Sequence, residues 1–187
     1  MQVAGVVAGD HLAGAGGGQD RGVVEHLGAA GVVGGGMHIA MHAFGKITLF
    51  FCAGAILVAA HKTRVSELDG LGRQMPLTML AFTIGAVSIV GLPPFGGTWS
   101  KWLLVQGTLD SGIWLLTAVL LVSSLLNILY LMVVPLRGFF AAPATPVTGI
   151  QEAPLPSLLA MGITATGCLL LFFYAEPIYR LLGGILL

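Results

Sequence analysis

The sequence is short of charge. Its 187 residues include eight basic and eight acidic ones, 9% of the chain, where a soluble domain carries about 25%. So few charges do not solvate a globule of this size. Hydrophobic residues make up 56% and the mean hydropathy is +0.95, which places the chain in the membrane. The apolar stretches are continuous runs of about 20 residues rather than ten-residue alternating segments, which excludes a β-barrel. Net charge is zero, so nothing marks nucleic acid as a partner. Cysteine is scarce too. Cys52 and Cys168 each sit inside an apolar run, with neither CxxC spacing nor a histidine ligand pattern, and read as small buried apolar residues. No metal site, cofactor motif or redox centre is legible, so electron transfer is expected to belong to partner subunits.

A secretory signal is also missing. Residues 1–36 lack a basic start followed by a compact apolar core, and Asp10, Asp20, Arg21 and Glu25 interrupt them. Twelve of these 36 residues are glycine, and each glycine weakens a helix by about 1 kcal/mol relative to alanine. Residues 1–36 therefore read as an atypical Gly/Ala-rich N-terminal segment. Disorder is expected to about Val23, with helix starting between Leu27 and Gly36. Residues 37–187 read as the transmembrane domain.

What is present is an all-α integral membrane pattern of about four transmembrane helices. The first segment runs from about Leu27 or Met37 to Ala60 and ends at the polar stretch "HKTRVSELDGLGRQMP", residues 61–76. The second begins at Pro76, a favourable first-turn residue, and meets "GLPPFGGTWSKW", residues 91–102. The third, residues 113–134, is stopped by Pro135 and Arg137. A Pro/Ala/Thr-rich loop follows, and the fourth covers 157–182, with Pro177 kinking or ending it.

The second segment cannot be one regular helix. From Pro76 to Thr108 it would be roughly 50 Å long, against a hydrocarbon core of about 30 Å. Pro93 and Pro94 remove amide donors, and Gly91, Gly96 and Gly97 loosen what remains. Either one tilted span is broken between Gly91 and Gly97, or residues 77–92 cross alone and 98–108 form a re-entrant piece. The broken span is favoured, because irregular backbone at membrane depth survives where it is packed in protein or lines a wet cavity.

The short loops set orientation. Loop 61–76 holds Lys62, Arg64 and Arg73, and loop 135–156 holds Arg137, while the turn at 109–112 holds only Asp110. Both basic loops are expected on the cytoplasmic side of the plasma (inner) membrane.

Three titratable groups interrupt the first apolar run. His38, His42 and Lys46 stand four residues apart. Each step of four drifts only about 40° around a helix, so they form one stripe climbing roughly 12 Å. A lysine at mid-bilayer costs about 2.5–3.5 kcal/mol, which it avoids by facing protein and a water file. There, histidines titrating near 6.5 suit relay positions. Snorkelling or hydrogen bonding to another helix is the plainer account. Lys101 has two open readings. It starts a helical half-segment after the break, a place for a working amine, or it snorkels beside Trp99 and Trp102. Ser123, Ser124, Asn127 and Tyr130 form a weaker stripe suited to helix–helix hydrogen bonding. Glu176 and Arg180 suit a local i, i+4 pair, and Asp110 sits in a solvated turn.

The runs "HIAMHAFGK", "LFFCAGAI", "ELDGLGRQMP" and "GLPPFGGTWSKW", in that order, resemble the proton-conducting antiporter-like subunits. These are the large membrane subunits of NADH:quinone oxidoreductase and their relatives in Mrp-type sodium/proton antiporters and membrane-bound hydrogenases. The likeness runs from about Met37 to about Leu136. It implies that Lys46 is the central-axis lysine, with His38 and His42 as the histidines before it. Lys101 matches the ionisable residue of the family's broken helix. "SKWLLVQGTLDSG" looks more like the Mrp D-type subunits. The implied partners are other membrane subunits, protons and, in an Mrp-type assembly, sodium.

Family members are far longer, and this chain corresponds to roughly the last third. Their first half-channel has no counterpart here, and the Gly-Ala-Val texture of residues 1–36 departs from the family as a truncated or mistranslated start would. The expected function is proton translocation through a buried His/Lys relay, as part of a multisubunit complex. The alternative is a non-conducting fragment with a structural role in such a complex. A small solute carrier is disfavoured, since no inverted second half and no substrate pocket can be named.

Overall fold

Two of the apolar runs are long enough to cross a bilayer as single helices, and a third does so with one bend. The computed structural model describes residues 19–143 and 149–186, and every regular element among them is helical. Helix α1 spans Gln19–Ala60. Two short 3-10 turns, Val65–Glu67 and Leu71–Arg73, lead into α2, Pro76–Val90. Helix α3 spans Gly97–Asp110, α4 Trp114–Leu131 and α5 Val133–Phe140. Helices α6, Leu155–Phe173, and α7, Ala175–Leu186, complete the chain.

Prolines set three of the helix ends. Val90, Leu131 and Phe173 close α2, α4 and α6, and each stands four residues before a proline: Pro94, Pro135 and Pro177. A proline ring clashes with the carbonyl four residues back and brings no amide to bond it. Pro177 thus kinks the fourth segment, as expected. Pro135 does not stop the third. It lies in the first turn of α5, where no amide donor is needed, and the chain continues helical to Phe140.

The helix start is also earlier than the glycine content suggests. Helix α1 is formed from Gln19 rather than from the Leu27–Gly36 region, while residues 1–18 of the atypical segment lie outside the described residues. Packing accounts for the helical glycines from Gly31 onward. A Cβ on Gly34 would stand 3.1 Å from that of Leu103, and one on Gly107 would stand 3.2 Å from the Cα of Gly31. The glycines let α3 approach α1 closely, and tertiary contact outweighs their weak helix propensity.

The two halves of the second segment lie end to end along α1. Gly85 of α2 meets Gly45 and Thr48, Ser100 of α3 meets His38, Leu103 meets Gly34, and Gly107 meets Gly31. Numbers rise along one path and fall along the other, so α2 and α3 together run antiparallel to α1. With 15 and 14 residues, the halves are each about 22 Å long, too short to cross about 30 Å alone. This is a broken span. The break also divides the core. Cys52, Ala55 and Ile56 of α1 pack with Met79, Phe82 and Ile89 of α2 on one side of it. Val33, Met37 and Met41 pack with Leu103 of α3 and Ala175 of α7 on the other.

The two basic loops lie together. Arg137 Nε donates to Asp69 Oδ1 at 2.7 Å, and Gln151 N–H donates to the Gln74 carbonyl at 2.9 Å. Cys52 and Cys168 are free thiols, both fully buried, in keeping with the apolar role read from their setting.

Candidate functional site

The break is built by glycines that admit backbone where a side chain would not fit. Gly91 takes a left-handed conformation, φ 87°, and its amide bonds the Val87 and Ser88 carbonyls, ending α2. Gly97 opens α3 so close to α2 that a Cβ there would stand 1.9 Å from the Ser88 carbonyl oxygen. Helix α6 holds the break from outside. Gly96 N–H donates to the Cys168 carbonyl at 2.9 Å and Trp99 Nε1–H to the Phe172 carbonyl at 3.0 Å. Pro93 and Pro94 stand exposed between Gly91 and Gly96.

Lys101 folds back over the break. Its Nζ donates to the Val90 carbonyl at 2.9 Å and to Ser124 Oγ of α4 at 3.0 Å. The carbonyl belongs to the last turn of α2, where the helix dipole favours a cation. Lys101 is half-buried, and both of these donations go to protein. Ser124 does what its stripe suggested, bonding one helix to another, whereas the Tyr130 hydroxyl donates to Asn127 on the same helix.

The two histidines stand together. The rings of His38 and His42, both half-buried, have centroids 5.1 Å apart at a 32° tilt. His38 Nδ1 lies 3.0 Å from Ser100 Oγ, one residue before Lys101. The stripe therefore reaches the broken helix through Ser100. Among the described residues no direct hydrogen bond joins His38 to Lys101.

Lys46 is different. It is exposed on the outer side of α1, beside Ile39 and Phe50, which are also exposed. The drift of the stripe accounts for this. Two steps of about 40° turn Lys46 roughly 80° from the direction of His38. That rotation takes it off the face that meets α3, while Gly45 and Thr48 meet α2. The structure thus gathers His38, His42 and Lys101 around the break and leaves Lys46 apart.

Two participants were not legible as such. Ser100 sits inside "TWSKW" like any small helical residue, and only its place three residues after Gly97 hinted at an inward direction. The Val90 carbonyl has no side-chain signal at all. Glu176 and Arg180 form the local pair their spacing predicts, and Asp110 is the exposed last residue of α3.

The family described as NADH:quinone oxidoreductase/Mrp antiporter, TM, matches residues 24–127, more than half of the chain. NADH-quinone oxidoreductase subunit N of Desulforudis audaxviator is 48% identical over 94 residues, covering 50% of this chain and 19% of that protein. NADH-quinone oxidoreductase subunit L of Mycobacterium tuberculosis is 32% identical over 154 residues, covering 77% of this chain and 24% of that protein. The structure of the Mrp complex from Dietzia sp. DQ12-45-1b aligns with a TM-score of 0.73 at 25% identity, covering 83% of this chain and 37% of the matched one. The chain spans well under half the length of each of these proteins. It is a multi-pass helical membrane protein, and it belongs to the NADH:quinone oxidoreductase/Mrp antiporter transmembrane family.

Proposed function

We propose that the chain carries part of a proton path across a membrane, as one element of a multisubunit NADH:quinone oxidoreductase-like or Mrp-type antiporter complex. Sodium is the exchanged ion where the complex is of Mrp type. The observation that carries this reading is the gathering of two imidazoles and an ammonium at a helix interrupted within an apolar bundle. Ionisable residues within membrane helices are rare and by default mark ion pathways. In this reading Lys46 exchanges protons with His42 and His38, which pass them toward Lys101. Ordered water carries the proton over gaps longer than a hydrogen bond. The load is substantial, since one charge moved across 100 mV is worth about 2.3 kcal/mol.

The relay needs the outer face of α1 to be covered. An ammonium facing lipid at mid-membrane costs about 2.5–3.5 kcal/mol, so other membrane helices are expected to pack over Lys46. The basic loops 61–76 and 135–156 are assigned to the cytoplasm on their Lys62, Arg64, Arg73 and Arg137 content, in the plasma (inner) membrane. Electron transfer belongs to partner subunits.

One observation favours a second reading, a structural fragment that does not conduct: the outward direction of Lys46. Transport separates the two. In the assembled complex, in sealed vesicles, Lys46→Ala and Lys101→Ala should each lower proton movement at least tenfold. Undiminished proton movement or sodium efflux in both variants rules out the relay and leaves the structural role.

A further inference from the structure

We infer that Ser100 is a positioning residue that fixes the tautomer of His38, placing its proton on Nδ1 and leaving the lone pair of Nε2 as the site where a proton is taken up. The inference rests on the relay proposed above and adds the atom at which His38 works.

The argument is a count of hydrogens. Ser100 is fully buried, and its Oγ has two neighbours, His38 Nδ1 at 3.0 Å and the Gly97 carbonyl at 3.2 Å. A hydroxyl has one hydrogen to give and can also accept. A neutral imidazole has one N–H and one bare nitrogen, and its surroundings choose which is which. Two arrangements are open. In the first, Ser100 donates to His38 Nδ1. The ring hydrogen then sits on Nε2, and the Gly97 carbonyl loses its hydroxyl partner. Among the described residues Ser100 is the one side-chain hydrogen-bond partner of His38, so the Nε2–H would have no partner among them. In the second, Ser100 donates to the Gly97 carbonyl and accepts from His38 Nδ1–H. Both hydrogens are then bonded, and only a lone pair is left over. The second arrangement makes two hydrogen bonds within the protein where the first makes one, so the second arrangement holds.

The consequence is directional. With Nδ1–H committed to Ser100, an incoming proton binds Nε2, giving an imidazolium that keeps its Nδ1–H on Ser100, and it leaves from Nε2 again. The Gly97 carbonyl cannot take up the serine proton, so Ser100 conducts nothing itself. It aims the ring. It also ties that aim to the broken helix, because Gly97 opens α3 and Ser100 stands in its first turn.

The test reads the tautomer directly. The full chain, labelled with 15N-histidine and placed in lipid bilayers, is examined by solid-state NMR at alkaline pH, where imidazoles are neutral. The His38 signals are identified by their loss in His38→Asn. The expected result is a neutral His38 protonated on Nδ1. It shifts to Nε2 in Ser100→Ala and returns to Nδ1 in Ser100→Thr, which restores the hydroxyl. In the assembled complex, Ser100→Ala should lower proton transport about tenfold, the weight of one hydrogen bond, and Ser100→Thr should recover most of it. A wild-type His38 protonated on Nε2, or a tautomer unmoved by Ser100→Ala, overturns the inference whatever transport does. Intact transport in His38→Asn overturns the relay instead, and the NMR result still decides the role of Ser100.

Discussion

The ammonium of Lys101 and the carbonyl of Val90 lie 2.9 Å apart, so the second half of the interrupted helix reaches back and closes the end of the first. A helix end buried in a membrane leaves carbonyls without partners. Lys101 supplies a charged donor to one of them and steadies the negative end of the α2 dipole. Its place in the fold is therefore structural as well as titratable.

Replacing Lys101 by methionine keeps the apolar stem and removes both donations, to Val90 and to Ser124. The charge-assisted bond to Val90 contributes about 2 kcal/mol and the bond to Ser124 about 1, so Lys101→Met should lower thermal unfolding stability by about 3 kcal/mol. Removing the second partner alone, in Ser124→Ala, should cost about 1 kcal/mol. Thermal unfolding in detergent measures both. A Lys101→Met protein as stable as the parent would show that the Val90 contact contributes nothing.

Gly97 has no room for a methyl group. The obstacle is the Ser88 carbonyl at 1.9 Å, which is backbone and cannot turn aside. Gly97→Ala should cost about 3 kcal/mol or more and deplete the protein from the membrane fraction. Gly54→Ala is the matched control, since nothing lies within 4 Å of a Cβ there. On an exposed helical position alanine should add up to about 1 kcal/mol. Membrane yield and unfolding temperature for the two variants should move in opposite directions.

The legible and illegible parts of this chain divide by the kind of force involved. Apolar run length marked the spans, and Pro93, Pro94 and the glycines around them marked the break, because these effects are local and large. Spacing placed His38 and His42 on one side, and their rings do stand together. Spacing also placed Lys46 with them. There a drift of about 40° per step, negligible over one step, became decisive over two. The glycines at 31 and 34 weaken an isolated helix and yet permit its packing, so the sequence places the start of α1 too late. Pro135 ends α4 and also sits in the first turn of α5, so the helical path bends there instead of stopping. Ser100 and the Val90 carbonyl depend on contacts across 62 residues and across the break, and no local pattern announces those.

The loop pair Asp69–Arg137 should make the fold acid-sensitive. The Arg137 hydrogen bond holds the Asp69 carboxyl below its usual value. The unfolded chain then binds that proton more readily than the folded one. The contribution is whole above the unfolded pKa, about 3.9, and is lost as pH falls through the lower folded value. Glu67 behaves alike, its carboxyl lowered by the Arg64 and Thr63 amides. Asp69→Asn should therefore be less stable than the parent at neutral pH and lose less on acidification below about pH 4. Unfolding temperature measured against pH should show the parent's curve falling toward the variant's. Parallel curves would remove the pair from the account.

Glu152 closes the other end of α2. The N-cap residue Met75 makes no side-chain capping bond. Instead Glu152, from the loop before α6, accepts the Leu77 amide on Oε1 and the Thr78 hydroxyl, at 2.7 Å, on Oε2. Gln151 beside it pairs with Gln74 through Nε2 and Oε1 at 3.0 Å, so the loop is held where the cap needs it. The carboxylate also faces the positive end of the helix dipole. Loss of a good cap costs about 1 kcal/mol, and up to about 2 in strong cases. Glu152→Ala should lose that amount in thermal unfolding. Glu152→Gln keeps one oxygen for the Leu77 amide and should lose less. Equal losses in the two variants would mean that the negative charge at the helix start, rather than acceptor geometry, does the capping. No loss in either would mean that water caps α2 as well as Glu152 does.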